Sequence, residues 1–284
     1  MTAHTWRAAF VTVAVLLAIE PGAIAADPAD FDPEQGAVVD GAYLNPYFGM
    51  RYPLPAGWKP GPQPARPSYG GYYVLSTPVP PKDTKATILI AAQDNFFADK
   101  PIGDAKVALA DLAHSFQAGE TAKAEISSTT IAGHTFARLN IEASPLSRVV
   151  FATNIRCHAV ILAFTSADRD RLAQLAASLG RLSLSAASTA PPVCVRDYAT
   201  AQTVRRRVEP IIRGPQFVKV SVRIVIGSDG KMKHIHVIRA VPAQQQSIVD
   251  ALAQWEFQLY RRNGRAVASE TGLTFEFRPT GRAD

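Results

Sequence analysis

The chain has 284 residues, 47% of them apolar, and a net charge of +6. That length and composition support one large or two modest domains with a sizeable core, and exclude global disorder. Residues 195–284 carry 15 Lys/Arg against 8 Asp/Glu, an excess of +7, so the rest of the chain sums to −1 and the basicity belongs to the last third.

Residues 1–25 read as a signal peptide. A short basic stretch ends at Arg7, and an apolar run, Ala8–Ile19, is too short to span a bilayer comfortably. Pro21 and Gly22 break the run, and small residues follow at Ala23–Ala25. The expected mature chain starts at Ala26 and is periplasmic; the alternative is an uncleaved anchor. Residues 26–41 read as a flexible arm.

An α+β module is expected over residues 42–185. "NPYFGMRYPLPAGW" opens it, with Phe48, Met50 and Tyr52 alternating. "GYYVLSTP" and "TKATILIAAQD" read as strands from their β-branched and aromatic content. "PIGDAKVALADLAHSFQ" reads as a helix, with Val107, Leu109, Leu112 and Phe116 at helical spacing. Three or four strands follow, with breaks at Gly133 and Asn154. A second helix follows these, with an aspartate cap, an apolar face of Leu172, Leu175 and Leu179, and a stop at Gly180. The short connections argue for an antiparallel sheet covered by helices.

Residues 186–193 have linker composition. The second module, 194–279, begins with "RDYATAQTVRRRVEP", read as a helix, and residues 280–284 form a tail. "VKVSVRIVIGSDGKMKHIHVIRA" alternates strictly from Val218 to Ile226, as a strand with one buried face does. "GSDG" supplies a tight hairpin. The apolar phase then slips from Met232 to Ile235, which predicts a bulge near Lys233. A helix follows with Ile248, Ala251, Leu252 and Trp255 on one face. Asn263-Gly264 marks a turn. In the last strand Val267, Ser269, Thr271, Leu273, Phe275 and Phe277 share one face; Ala268, Glu270, Gly272, Thr274 and Glu276 share the other.

Residues 195–279 resemble the C-terminal domain of the TonB family of energy transducers. The residues that carry this are the "VKVSVRIVIGSDGKM" hairpin, "IHVIRAVP", "IVDALAQWEFQLY" and "NGRAVASETGLTFEF". The resemblance implies a small ββαβ domain, here preceded by a helix, that binds proteins. The chain departs from TonB proper in its cleavable N-terminus and in having a globular module where TonB has a long Pro-rich spacer. "NPYFGMRYPLPAGW", the "IAGHTFARL" hairpin and "LAQLAASLGRLSL" are similar to PsbP-like α/β modules, which are mostly non-catalytic.

Cys157 and Cys194 are the only cysteines, and in an oxidising compartment they are expected to form a disulfide. His234 and His236 share a strand face and could ligate a metal, but no third ligand is evident nearby and Lys231, Lys233 and Arg239 would repel a cation, so no metal and no cofactor is assigned. His114 and His134 read as surface residues. Cys157 and His158 are adjacent on a strand and point to opposite faces, which rules out a nucleophile–base pair. No hydrolase, metalloprotease or phosphate-loop motif occurs. Arg205–Arg207 lack the aromatic strip of a nucleic-acid site; they read as a solvated face, or as one turned toward acidic protein or lipid headgroups. The expected function is therefore non-catalytic binding of an envelope partner, such as a peptide of an outer-membrane receptor, by strand addition along Val267–Phe277. The alternatives are pairing with a second copy of the chain, a membrane-anchored energy transducer, and an enzyme whose site lies in the first module.

Overall fold

The computed structural model describes residues 32–98, 105–117, 123–185, 191–211 and 218–277. The expected signal peptide, most of the linker and the tail lie outside the described residues.

The first described strands form a small antiparallel meander of β1 (Ala37–Val39), β2 (Ala42–Asn45) and β3 (Met50–Pro53). β1 lies inside the stretch expected to be a flexible arm. Gly41, at φ +71, makes the reversal that lets Ala37–Val39 pair with β2. β4 (Tyr72–Ser76), β5 (Ala86–Asp94), α1 (Ala105–Gln117), β6 (Lys123–Ile131), β7 (His134–Glu142), β8 (Ser147–Ile155), β9 (His158–Ser166) and α2 (Arg169–Ser178) follow. The six strands form an antiparallel sheet in the order β4-β5-β9-β8-β7-β6. β10 (Ser183–Leu184) returns to pair with β3.

One face of the six-stranded sheet packs Ile88, Ile90, Phe151, Leu162 and Phe164 against Leu172, Leu175 and Leu179 of α2 and its extension. The Asp168 side chain caps α2 by accepting from the N–H groups of Asp170 and Arg171. The other face packs Leu139, Ile141 and Val150 against Ala105, Leu109 and Ala113 of α1. Val107, expected on that buried face, is 46% exposed. Residues two apart on a helix point nearly opposite ways, so burying Leu109 turns Val107 out.

The C-terminal third contributes β11 (Val193–Cys194), β12 (Val204–Arg206), β13 (Val218–Ile226), β14 (Met232–Val237), α3 (Pro242–Leu252), β15 (Glu256–Phe257), β16 (Arg261–Arg262), β17 (Arg265–Ala266) and β18 (Ser269–Phe277). The sheet order is β11-β18-β13-β14. Val225 pairs with His234 but Ile226 with Met232, so Lys233 is the extra residue of the bulge. Val220, Val222, Ile224 and Phe275 pack on Ile248, Leu252 and Trp255.

The helix expected over residues 196–209 is not formed. The Thr203 hydroxyl donates to the Tyr198 carbonyl, and Thr200 N–H donates to Thr203 Oγ1. These side-chain bonds hold a compact turn in competition with helix. Val204–Arg206 then pairs with Glu256–Phe257. The single buried face expected of Val218–Ile226 is also corrected: from Val220 to Ile226 both faces are buried, because the second face meets the rest of the protein.

Candidate functional site

Three features meet on the C-terminal sheet: a buried charged junction, an open strand edge, and a histidine–carboxylate cluster.

The junction is centred on Arg223, 1% exposed. Strand alternation turns it away from the β13–α3 core and toward the six-stranded sheet. Its Nη1 donates to Asp94 Oδ2 at 2.5 Å, and its Nη2 donates to Glu270 Oε1 at 2.6 Å and to Tyr47 Oη at 3.0 Å. Asp94 ends β5, Tyr47 sits between β2 and β3, and Glu270 is the second residue of β18, so one guanidinium joins three parts of the chain. Burial strongly opposes the Arg223 charge, but Asp94 and Glu270 outweigh it and raise its pKa further. Burial raises the pKa of Asp94, with Arg223 opposing. His158 Nε2 lies 3.2 Å from Arg223 Nη1, and burial and then Arg223 hold its pKa well below the ordinary range. His158 is therefore a neutral ring at neutral pH, and its Nδ1 meets the Arg156 carbonyl at 2.7 Å. The group is an almost fully buried ion-pair network that ties β13 and β18 to β5 and to the β2–β3 turn.

The disulfide Cys157–Cys194 closes beside this network, with a Cα–Cα distance of 5.7 Å. It pins the β8–β9 turn to β11 across 37 residues. Replacing both cysteines with serine is expected to cost ~2–4 kcal/mol, from loop-closure entropy returned to the unfolded chain. Urea denaturation of the oxidised protein and of the double variant checks this, and equal midpoints would disprove it. Gly272 lies under the same contact. A Cβ there would sit 2.6 Å from Phe96 Cβ and 2.8 Å from Phe97 Cζ. Gly272→Ala should therefore overpack the contact and cost about 1–3 kcal/mol, read from the thermal midpoint.

The strand expected as the partner-binding edge begins at Ser269, so Val267 and Ala268 precede it. It is second in the sheet order, between β11 and β13. Val193 N–H and Val195 N–H donate to the carbonyls of Ala268 and Glu270, so the start of the strand is covered in parallel by the linker end. Backbone alternation then points the N–H and C=O groups of Gly272, Thr274 and Glu276 the same way. The opposite side agrees: Ser221, paired with Thr274, has its carbonyl taken by Ile238 N–H of the β14 side. Among the described residues no strand pairs with Gly272–Phe277 on the outward side. A cavity of about 400 Å³ lined by Tyr69, Phe96, Phe97, Lys219, Ser221 and Thr274 borders this stretch.

The histidine pair lies at the other edge of the sheet, on β14. His236 Nδ1 is 2.9 Å and His234 Nε2 is 3.3 Å from the same Asp32 oxygen, and His236 Nε2 is 3.3 Å from Glu34 Oε2. Burial works against the His236 charge, but Asp32 and Glu34 dominate and push its pKa up to about 9. Burial opposes the ionised form of Asp32 as well, yet hydrogen bonds from His234 and His236 bring its pKa well below the usual carboxylate range. Sequence reasoning had found no third ligand beside the histidines; the fold brings Asp32 from 202 residues earlier. His114 and His134 are exposed. Arg206 and Arg207, also exposed, sit beside Glu256 and Glu209 at 4.0 and 2.5 Å.

No curated protein matches this chain. A solved structure similar to it is the solution structure of cyanobacterial PsbP (CyanoP) from Synechocystis sp. PCC 6803, 14% identical, covering 53% of this chain and 96% of that one at a TM-score of 0.36. Residues 197–279, the stretch that builds β12 to β18, match the family model of the Gram-negative bacterial TonB protein C-terminal.

Proposed function

We propose that this is an exported, periplasmic, non-catalytic binding protein of two modules, residues 42–185 and 194–279. Its TonB-like C-terminal domain would engage an extended peptide of an envelope partner, such as an outer-membrane receptor, by adding a strand to β18. The observation that carries the reading is the outward row of main-chain groups at Gly272, Thr274 and Glu276. Such a row templates an incoming strand, and neighbouring recesses select its side chains. The aromatic-lined cavity beside Thr274 supplies such a recess. The family match supports an envelope protein-binding role. The six-stranded sheet acts as a scaffold in this reading: Arg223, Gly272 and the disulfide hold the C-terminal sheet against it and leave the edge free.

Amide hydrogen exchange tests the proposal. Candidate peptides, taken from the periplasm-facing segments of outer-membrane receptors, are added to the full chain. A bound strand should slow exchange at Gly272, Thr274 and Glu276. Protection that instead appears along β14 or on the six-stranded sheet would refute strand addition at β18.

A further inference from the structure

The structure assigns a divalent transition-metal site, of the class that takes Zn²⁺, to Asp32, His234 and His236. The three donor atoms lie within 4.8 Å of one another. Two of the separations, 2.9 and 3.3 Å, converge on one carboxylate oxygen. A tetrahedral ion held at its usual bond lengths keeps its ligand atoms roughly 3.3 Å apart. The two carboxylate–imidazole separations already lie within about half an ångström of that spacing, and the two imidazole nitrogens, up to 4.8 Å apart, draw together to receive the ion. Two imidazoles and a carboxylate are a donor set that suits zinc-like cations and suits magnesium or calcium poorly. Three protein ligands leave a fourth position for water.

Glu34 adds an independent feature. Its Oε2 lies 3.3 Å from His236 Nε2, the ring nitrogen that does not face Asp32. A carboxylate on the far nitrogen of a ligating histidine fixes the ring and its tautomer, and makes the facing nitrogen a better donor. Two of the three neighbouring cations are engaged elsewhere. Lys233 Nζ is engaged by Asp229 at 2.8 Å, and the Arg239 guanidinium lies 4.7 Å from the Tyr69 ring centroid. On binding, the ring protons directed at Asp32 leave both ligating nitrogens, that of His236 Nδ1 for solvent and that of His234 Nε2 for its own Nδ1 or for solvent, and the two freed lone pairs go to the ion. The ion would join the segment before β1 to strand β14, at the edge opposite the free backbone of β18.

The test uses the untagged full chain, stripped with a chelator and titrated calorimetrically with Zn²⁺ and, separately, Mg²⁺. One Zn²⁺ per chain should bind, and Mg²⁺ should not compete. Asp32→Asn and the double variant His234→Ala with His236→Ala should each weaken binding at least a hundredfold. Glu34→Gln should weaken it about tenfold, the effect of losing a carboxylate behind a ligating histidine. Zn²⁺ should also slow amide exchange over residues 32–36. Asp32→Asn is close to isosteric on a half-exposed segment, so it decides the matter if a histidine variant misfolds. Absence of stoichiometric Zn²⁺ binding would overturn the assignment. Equal affinity for Mg²⁺, or Zn²⁺ binding undiminished in folded Asp32→Asn, would overturn it as well.

Discussion

Replacing Arg223 with methionine is expected to destabilise the protein by about 3–5 kcal/mol, the usual result of removing one partner from a buried ion pair. Asp94 and Glu270 are almost fully buried and share this one guanidinium, so the variant leaves two carboxylates with no compensating charge. Each must then ionise in a dry contact or take up a proton. The triple variant Arg223→Met, Asp94→Asn, Glu270→Gln removes all three charges and should recover most of the loss. That recovery separates an uncompensated-charge effect from a packing effect. Urea denaturation followed by tryptophan fluorescence gives both numbers. A loss under about 1 kcal/mol in Arg223→Met would mean that water enters the contact and solvates the carboxylates.

The strand pattern was legible where one physical rule governed it. Strict alternation from Val218 to Ile226 gave β13, and the slip in phase gave the bulge at Lys233, because side chains on one face of a strand recur with period two. The same alternation placed Arg223 on a polar face. From sequence alone that face is expected to meet solvent, because the carboxylates that bury it lie 129 and 47 residues away. The histidine cluster was hidden for the same reason, with Asp32 supplied across almost the whole chain. Residues 196–209 form no helix because the Thr203 hydroxyl, which accepts from Thr200 N–H and donates to the Tyr198 carbonyl, captures the backbone first. Local rules thus exposed the elements, and the contacts between distant elements, which make the candidate sites, left no local mark.

Thr274→Pro is expected to abolish peptide capture while leaving the fold intact. The Thr274 N–H points away from β13, as both the Val195–Glu270 bond and the Ile238–Ser221 bond require. Proline there removes no ladder bond within the protein. It removes the outward donor and places a ring where an added strand would lie. Thr274 is exposed, so the ring meets solvent, and the denaturation midpoint should fall by no more than ~1 kcal/mol. Leu273→Pro is the contrast. Leu273 pairs with Val222, and its N–H faces β13, so proline orphans a buried carbonyl and should cost at least about 1–3 kcal/mol. Calorimetry with the peptide that slows exchange along β18 should show at least a hundredfold weaker binding to Thr274→Pro. The double variant His234→Ala with His236→Ala should keep the full affinity, since β14 is at the opposite edge of the sheet. Unchanged affinity in folded Thr274→Pro would exclude pairing at this position. If the histidine variant lost affinity instead, the peptide would be reading β14, and the working edge of the sheet would be the one that carries Asp32.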